Sequence, residues 1–389
     1  MKRTRSWPEY DDEQIAAVAA VLRSGKVNAW TGPDVAAFAK EFADHVGTRF
    51  AIPMANGTLT LDAALRALDL APGDEVIVTP RSFVASAACV LLAGGRPVFA
   101  EVDPDSQNIT PESIAARITP NTVGIIPVHL AGWPCDMDGI MQLAERHGLW
   151  VIEDCAQAHG AQIGGRVVGS FGTVGSYSFC QDKIMSTGGE GGMIVTDDEP
   201  LFDRIWSFKD HGKSRELVFS GAKSPGFRWL HADVGTNLRM TGPSAAIGRV
   251  QLRRLPEWRQ ARERNAARLA AALGESPILR VPMPPPDITH AWYRLYAFVR
   301  PERLAPGWDR DRILAAAAER HLPVFSGSCS EVYREECFAG PGNHPDEPLP
   351  VARMLGDTSL AFLVDPTWSE AELDELAASV LEIAADAAG

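Results

Sequence analysis

From Asp74 onward the chain alternates short apolar, β-rich runs with amphipathic stretches. The apolar runs predict strands over residues 75–78, 97–102, 123–128, 150–153, 174–179 and 193–196. Residues 84–93, 111–117 and 136–147 read as the helices after the first three strands. Pro111 enters at a first turn and Asp136 stands at a cap. Strand and helix in succession imply an α/β fold, a doubly wound layer around a mainly parallel sheet.

Near Pro243 the texture changes. An Arg- and Ala-rich helix runs to about residue 273, and the proline cluster VPMPPPD (281–287) ends it. A strand over 292–299 and helices over 309–320 and 369–385 then predict a smaller α+β unit. The expected division is a large unit over 1–255, opened by a helical segment at 1–28, and a small C-terminal unit over 256–389. The arginines between Arg249 and Arg268, interleaved with Glu257 and Glu263, read as a solvated helix face.

Composition narrows the classes. With 46% hydrophobic and 22% charged residues, the 389-residue chain has the profile of a globular protein. A net charge of -13 opposes a broad footprint for nucleic acid or anionic lipid. Six cysteines without CxxC spacing, a start that lacks a signal peptide's apolar stretch, and no membrane-length apolar window lead us to expect a cytoplasmic protein with reduced thiols. The nine histidines form no HExxH or HxxxH pair, so no metal site is expected.

Candidate chemistry falls just after strands, where open α/β sheets bind ligands. Lys183, one of seven lysines, follows the strand in SYSFCQDKIMSTGGEGG and precedes a glycine-rich run over which a bulky cofactor can lie close to the backbone. Burial there favours the neutral amine, the form a Schiff base needs. Asp154 follows another strand in VIEDCAQAHGA. Beside a pyridine nitrogen a carboxylate keeps the ring protonated; without a cofactor Asp154 is a turn or cap residue. Gly57 and Thr58 open a helix whose free amides suit a phosphate, and Ser178 can add a hydroxyl. HGKS (211–214) lacks the first glycine of a phosphate-binding loop, and TGGEGG precedes a strand instead of following one, so neither nucleoside triphosphate nor NAD binding is supported.

Taken in order, WTGPDVAAFAKEFADHVG, MANGTLTLDAALRALDLAPGDEVIVTP, VIEDCAQAHGA, SFCQDKIMSTGGEGG, KDHGKS and GTNLRM resemble the DegT/DnrJ/EryC1/StrS sugar aminotransferases over nearly the whole chain. That resemblance implies the fold-type I architecture of pyridoxal 5'-phosphate (PLP) enzymes, with the cofactor held as a Schiff base on Lys183. It further implies that Lys183 moves the proton between substrate and cofactor, Asp154 pairs with the pyridine nitrogen, Gln157 lies near the ring and its phenolic oxygen, and Phe83 stacks on the ring. Gly57, Thr58 and Ser178 would hold the phosphate. Asn237 would reach it from a neighbouring subunit, which implies a homodimer with shared active sites.

The implied activity is transfer of an amino group from glutamate or glutamine to a keto-sugar for surface polysaccharide, lipopolysaccharide included. Two acceptors stay open. One is a nucleotide-linked keto-sugar. The other is 8-keto-3-deoxy-octulosonate, because SFCQDKIMSTGGEGG, KDHGKS, FRWLH and GSCSEVYRE are similar to the branch containing 8-amino-3,8-dideoxy-octulosonate transaminases. His211, Arg228 and Arg239 are the candidates to meet that sugar's carboxylate. A PLP-dependent sugar dehydratase or epimerase, or a PLP-binding regulator without catalysis, are the alternatives. Family dehydratases carry histidine where this chain has Lys183.

Overall fold

The computed structural model describes residues 5–220 and 226–389. Two helices open it, α1 (Asp12–Ser24) and α2 (Asp34–Val46); the Asp11 carboxylate caps α1 by accepting from the Gln14 amide. Strict alternation follows: β1 (Phe50–Met54), α3 (Gly57–Ala67), β2 (Glu75–Val78), α4 (Ala85–Leu92), β3 (Arg96–Phe99), α5 (Pro111–Ala115), β4 (Thr122–Ile126), α6 (Met137–His147) and β5 (Trp150–Asp154). Thr110 and Asp136 cap α5 and α6, and Pro111 occupies the first turn of α5.

A short hairpin, β6 (Gln162–Ile163) and β7 (Arg166–Val167), precedes β8 (Val174–Ser178) and β9 (Gly192–Thr196). The main sheet has the order β1-β9-β8-β5-β4-β2-β3. β3, β2, β4, β5 and β8 pair in parallel, whereas β9 runs against both β8 and β1. Helices cover the parallel strands, so Val76, Ile77, Ile125, Ile126, Val151 and Ile152 are all buried, and such strands appear in the sequence as continuous apolar runs. Because β1, β2, β5 and β8 point the same way, the segments after Met54, Val78, Asp154 and Ser178 emerge at one end of the sheet.

After α7 (Glu199–Lys209) and α8 (Arg215–Phe219), α9 (Gly242–Leu273) runs for 32 residues. Four antiparallel strands form a second sheet in the order β10-β12-β14-β13: β10 (Leu279–Arg280), β12 (Leu295–Val299), β13 (Val324–Phe325) and β14 (Ser359–Phe362). β11 (Ile288–Thr289) pairs instead with β6. α10 (Arg310–Glu319), α11 (Pro350–Thr358) and α12 (Glu370–Ala387) complete this part, whose core includes Leu269, Leu273, Phe362, Trp368 and Leu376.

The expectation of a solvated face on α9 holds for Arg253, Arg264 and Arg268, which are exposed, and is corrected for Arg262 and in part for Arg249 and Arg254. Arg249 pairs with Asp34 and Glu41 on α2, Arg254 with Asp11 and Glu13 at α1, and Arg268 with Asp374 on α12. Arg262 is fully buried, donating to the Trp292 carbonyl at 3.2 Å and lying over the Trp7 ring. Helical spacing tells which residues share a face; it does not tell that acidic side chains distant in sequence come to meet them. Among the described residues, no helix is long and apolar enough to cross a membrane.

Candidate active site

The ends of β1, β5 and β8 enclose a cavity of about 490 Å³. Of the residues singled out in the sequence, Gly57, Thr58, Phe83, Asp154, Gln157, Ser178 and Lys183 all line it. Each is placed by its own piece of local structure.

Asn56 caps α3, its side-chain oxygen accepting from the Leu59 amide at 3.0 Å. That leaves the first amides, Gly57 and Thr58, free of helix partners at the positive end of the α3 dipole. Gly57 lies against Ser178, and a Cβ at Gly57 would fall 2.4 Å from the Ser178 Cβ. Only glycine permits this approach of α3 to β8. Amides, the Thr58 hydroxyl and the Ser178 hydroxyl therefore share one corner, a donor set that suits a phosphate.

Asp154 ends β5 and is 4% exposed. Its Oδ2 accepts from the Ser86 hydroxyl at 2.7 Å and its Oδ1 from the Ala156 amide at 3.1 Å. The residue before it anchors the strand end: Glu153 is fully buried and accepts from the amides of Gly169, Phe171 and Gly172, each at 2.7 Å. His129 Nδ1 accepts from the Cys135 amide, so its proton sits on Nε2, 3.1 Å from Glu153. His129, Glu153 and Cys155 bring ligand atoms within 4.8 Å of one another. Yet the carboxylate is occupied by four donors and burial pushes the Cys155 thiol well up, keeping it protonated, so the trio is structural.

Gln157 is held by its side-chain oxygen, which accepts from the Ala131 amide at 2.7 Å. Its NH₂ remains the group it can offer the cavity. Phe83 stands at the mouth, 66% exposed.

Lys183 lies in the turn after β8, with its amide donating to the Cys180 carbonyl at 3.1 Å. Its own carbonyl accepts from the Trp7 indole at 2.7 Å, and the Ser186 amide donates to Gln251 of α9 at 2.7 Å. Gly188 and Gly189, at φ 89° and 120°, turn the chain back into β9 in a conformation that other residues resist. The loop carrying the lysine is thus fixed from three sides.

Four sequence candidates lie outside this cavity in the single chain. His211 uses its carbonyl to accept from His231, and Arg228 donates to Leu217 and Ser220. Arg239 pairs with Asp210 at 2.8 Å, and exposed Asn237 accepts from the Arg239 amide. No arginine or histidine lines the cavity among the described residues. The sequence reading missed Ser86, Asp182 and Glu190, which do line it. Asp182 had one available signal, adjacency to Lys183, but adjacency alone does not bring two side chains together.

A mainly parallel α/β sheet with a lysine, a buried carboxylate and an amide-rich helix start at one strand-end cavity defines a PLP-dependent transferase of fold-type I. The residues fit that cofactor: the α3 corner offers donors that suit a phosphate, and a buried carboxylate, Asp154, lines the same cavity as the Lys183 amine. A sequence model of the DegT/DnrJ/EryC1/StrS aminotransferase family matches residues 8–380, and the chain belongs to that family. It is 34% identical over 361 residues to the dTDP-3-amino-3,4,6-trideoxy-alpha-D-glucose transaminase of Streptomyces venezuelae, covering 93% of this chain and 89% of that one. A spore coat polysaccharide biosynthesis protein of Bacillus subtilis is 33% identical over 378 residues, covering 97% and 96%. A solved aminotransferase from Psychrobacter cryohalolentis superposes with a TM-score of 0.96 at 50% identity, covering 98% of this chain and 99% of that one. The chain is accordingly a sugar aminotransferase that uses PLP.

Proposed function

We propose that the enzyme moves an amino group from glutamate or glutamine to a ketone on a nucleotide-linked sugar destined for surface polysaccharide. The convergence of Lys183, Asp154 and the α3 amides on one cavity carries the aminotransfer reading, and the relatives' named roles support the acceptor class. Bound PLP supplies an aldehyde carbon that accepts the amino group and a ring that withdraws electrons from the reacting carbon. Asp154, held by Ser86 and the Ala156 amide, keeps a proton on the ring nitrogen. Lys183 gives and takes the proton at the substrate carbon, and the α3 amides with Ser178 fix the phosphate, so the lysine and the reacting carbon keep one geometry.

The same reading makes the enzyme a homodimer in the cytoplasm. All six cysteines are unpaired. Phe227, Trp229 and Val234 stand 76–82% exposed on the segment that leads to Asn237, a larger apolar display than a lone chain ordinarily leaves in water. A second copy covering it brings Asn237 to its partner's phosphate corner. The octulosonate acceptor is the second reading. No arginine or histidine lines one chain's cavity and its lysine, Lys183, is committed to the cofactor, so binding that sugar's carboxylate depends on His211, Arg228 or Arg239 reaching across from the partner.

The test supplies ¹⁵N-glutamate with a panel of nucleotide-linked keto-sugars and 8-keto-3-deoxy-octulosonate. Label appearing in an amino sugar is the expected result, lost in Lys183→Ala. A sugar dehydrated or epimerised without label contradicts the proposal.

A further inference from the structure

Residues 7–14, which lead into α1, lie across the loop that carries Lys183. Trp7 donates its indole N–H to the Lys183 carbonyl at 2.7 Å, and the Tyr10 hydroxyl donates to Ser186 Oγ at 3.0 Å. A third tie runs through two buried side-chain amides. The Ser186 amide donates to Gln251 Oε1 at 2.7 Å, and Gln251 Nε2 donates to Gln14 Oε1 at 2.9 Å. Positions 183 and 186 are thus gripped by a strap that lies 176 residues earlier in the chain.

The strap is itself held against α9. The Trp7 ring meets the Trp258 ring edge-on at 4.8 Å between centroids, and the Arg262 guanidinium lies over it at 5.0 Å. Arg254 pairs with Asp11 and Glu13. A cation over the indole face and a second ring at its edge favour one orientation of Trp7, the one that aims its N–H at the loop. Lys183 belongs to no helix or strand, so no ladder of backbone hydrogen bonds fixes its place. Ties from outside the loop do so instead.

Resting on the role given to Lys183 in the proposed mechanism, we propose that Trp7 is a positioning residue for the proton step. Through the Lys183 carbonyl it sets where the lysine backbone stands, and so how the amine reaches the substrate carbon. Tyr10 and the Gln14–Gln251 pair steady the same loop from Ser186. A misplacement of about 1 Å at a reacting group can cost on the order of 100-fold in rate. Trp7, Tyr10 and Gln14 do not line the cavity, so the strap acts on the rate of the step and leaves substrate binding alone.

The test follows the donor half-reaction in single turnover, by the change in absorbance of the PLP-loaded protein. Glutamate and glutamine are each supplied with hydrogen or deuterium on the α carbon. Trp7→Phe keeps a ring and removes the N–H. It is expected to lower the saturating rate constant roughly tenfold, with the half-saturating donor concentration within about twofold and a primary deuterium effect on the slowed step. Tyr10→Phe, which loses only a hydroxyl, is expected to act in the same direction by roughly threefold. Trp258→Phe thins the same aromatic cluster without touching the N–H, and is expected to leave the rate constant as it is. In the apoprotein, hydrogen exchange at the amides of residues 183–189 is expected to quicken severalfold in Trp7→Phe and not in Trp258→Phe. An unchanged rate constant, a slowed step without a deuterium effect, unaltered exchange, or an equal loss in Trp258→Phe overturns the positioning role. If those chains still take a borohydride-fixed label from PLP at Lys183, the active-site reading stands. Absence of that label in the unaltered chain overturns the reading on which the proposal rests.

Discussion

Gly57 on α3 and Ser178 at the end of β8 are so close that a Cβ on the glycine would stand 2.4 Å from the serine Cβ. The contact holds two free amides and a hydroxyl at one corner. Gly57→Ala is expected to push α3 away from β8, weakening PLP binding tenfold or more, at a stability cost of about 1–3 kcal/mol for the overpacking. Fluorescence titration of the apoprotein with PLP, beside a thermal melt, measures both. Unchanged affinity would remove the phosphate role from this corner.

Ser86 holds Asp154 from the neighbouring helix α4 at 2.7 Å. Losing a hydrogen bond to a charged group costs about 1.5–3 kcal/mol, so Ser86→Ala is expected to lower kcat on the order of tenfold with little change in KM. Asp154→Asn removes the charge itself and is expected to lower kcat by on the order of 100-fold or more. Steady-state kinetics with donor and acceptor separate the two. Equal effects of both variants would mean that Ser86 does more than orient the carboxylate.

Much of this was legible in the sequence for definite reasons. Parallel strands buried on both faces appear as apolar runs, and the cap signals at Asp136 and Pro111 act locally. The segments containing Gly57, Asp154 and Lys183 all emerge at one end of the sheet because strand direction places them there. What the sequence did not show depends on distant partners. β1 contains Pro53 and pairs with β9 some 140 residues away; nothing local encodes the reversed direction of β9. Ser86 looks like one small residue in an apolar helix until Asp154 is set beside it. The ion pairs of Arg249, Arg254 and Arg268 were not legible because the acids that meet them lie on α2, at α1 and on α12.

His159 and His290 are fully buried, and desolvation, the main cause, pushes each imidazole down to about 3 from the usual 6.5. Unfolded, both take up protons near pH 6.5; folded, they resist until about pH 3. The unfolded state therefore binds more protons in that window. Stability is full above pH 6.5 and falls as the pH drops toward 3, by up to roughly 2.7 kcal/mol per pH unit for the two groups. His159→Leu is expected to remove the His159 share of that slope, leaving the shares of His290 and of His45, whose imidazole is also pushed down by burial. Urea midpoints between about pH 4 and 6.5 measure it, and an undiminished slope in the variant would assign the acid sensitivity elsewhere.

The proposed sharing of active sites between two chains has a direct consequence. Mixing inactive Lys183→Ala chains with Asn237→Ala chains is expected to recover activity, because one site in each mixed dimer then combines an intact Lys183 with the partner's intact Asn237. Activity is assayed after the chains have exchanged. No recovery, with mixed dimers shown by mass, would contradict the sharing.

The central claim is that Lys183 is the amine joined to PLP. Reduction of the PLP-loaded protein with borohydride, followed by peptide mass spectrometry, reads it most directly. A pyridoxyl group on Lys183 alone is the predicted result; a protein that takes up no label, or carries it on another lysine, would contradict the account.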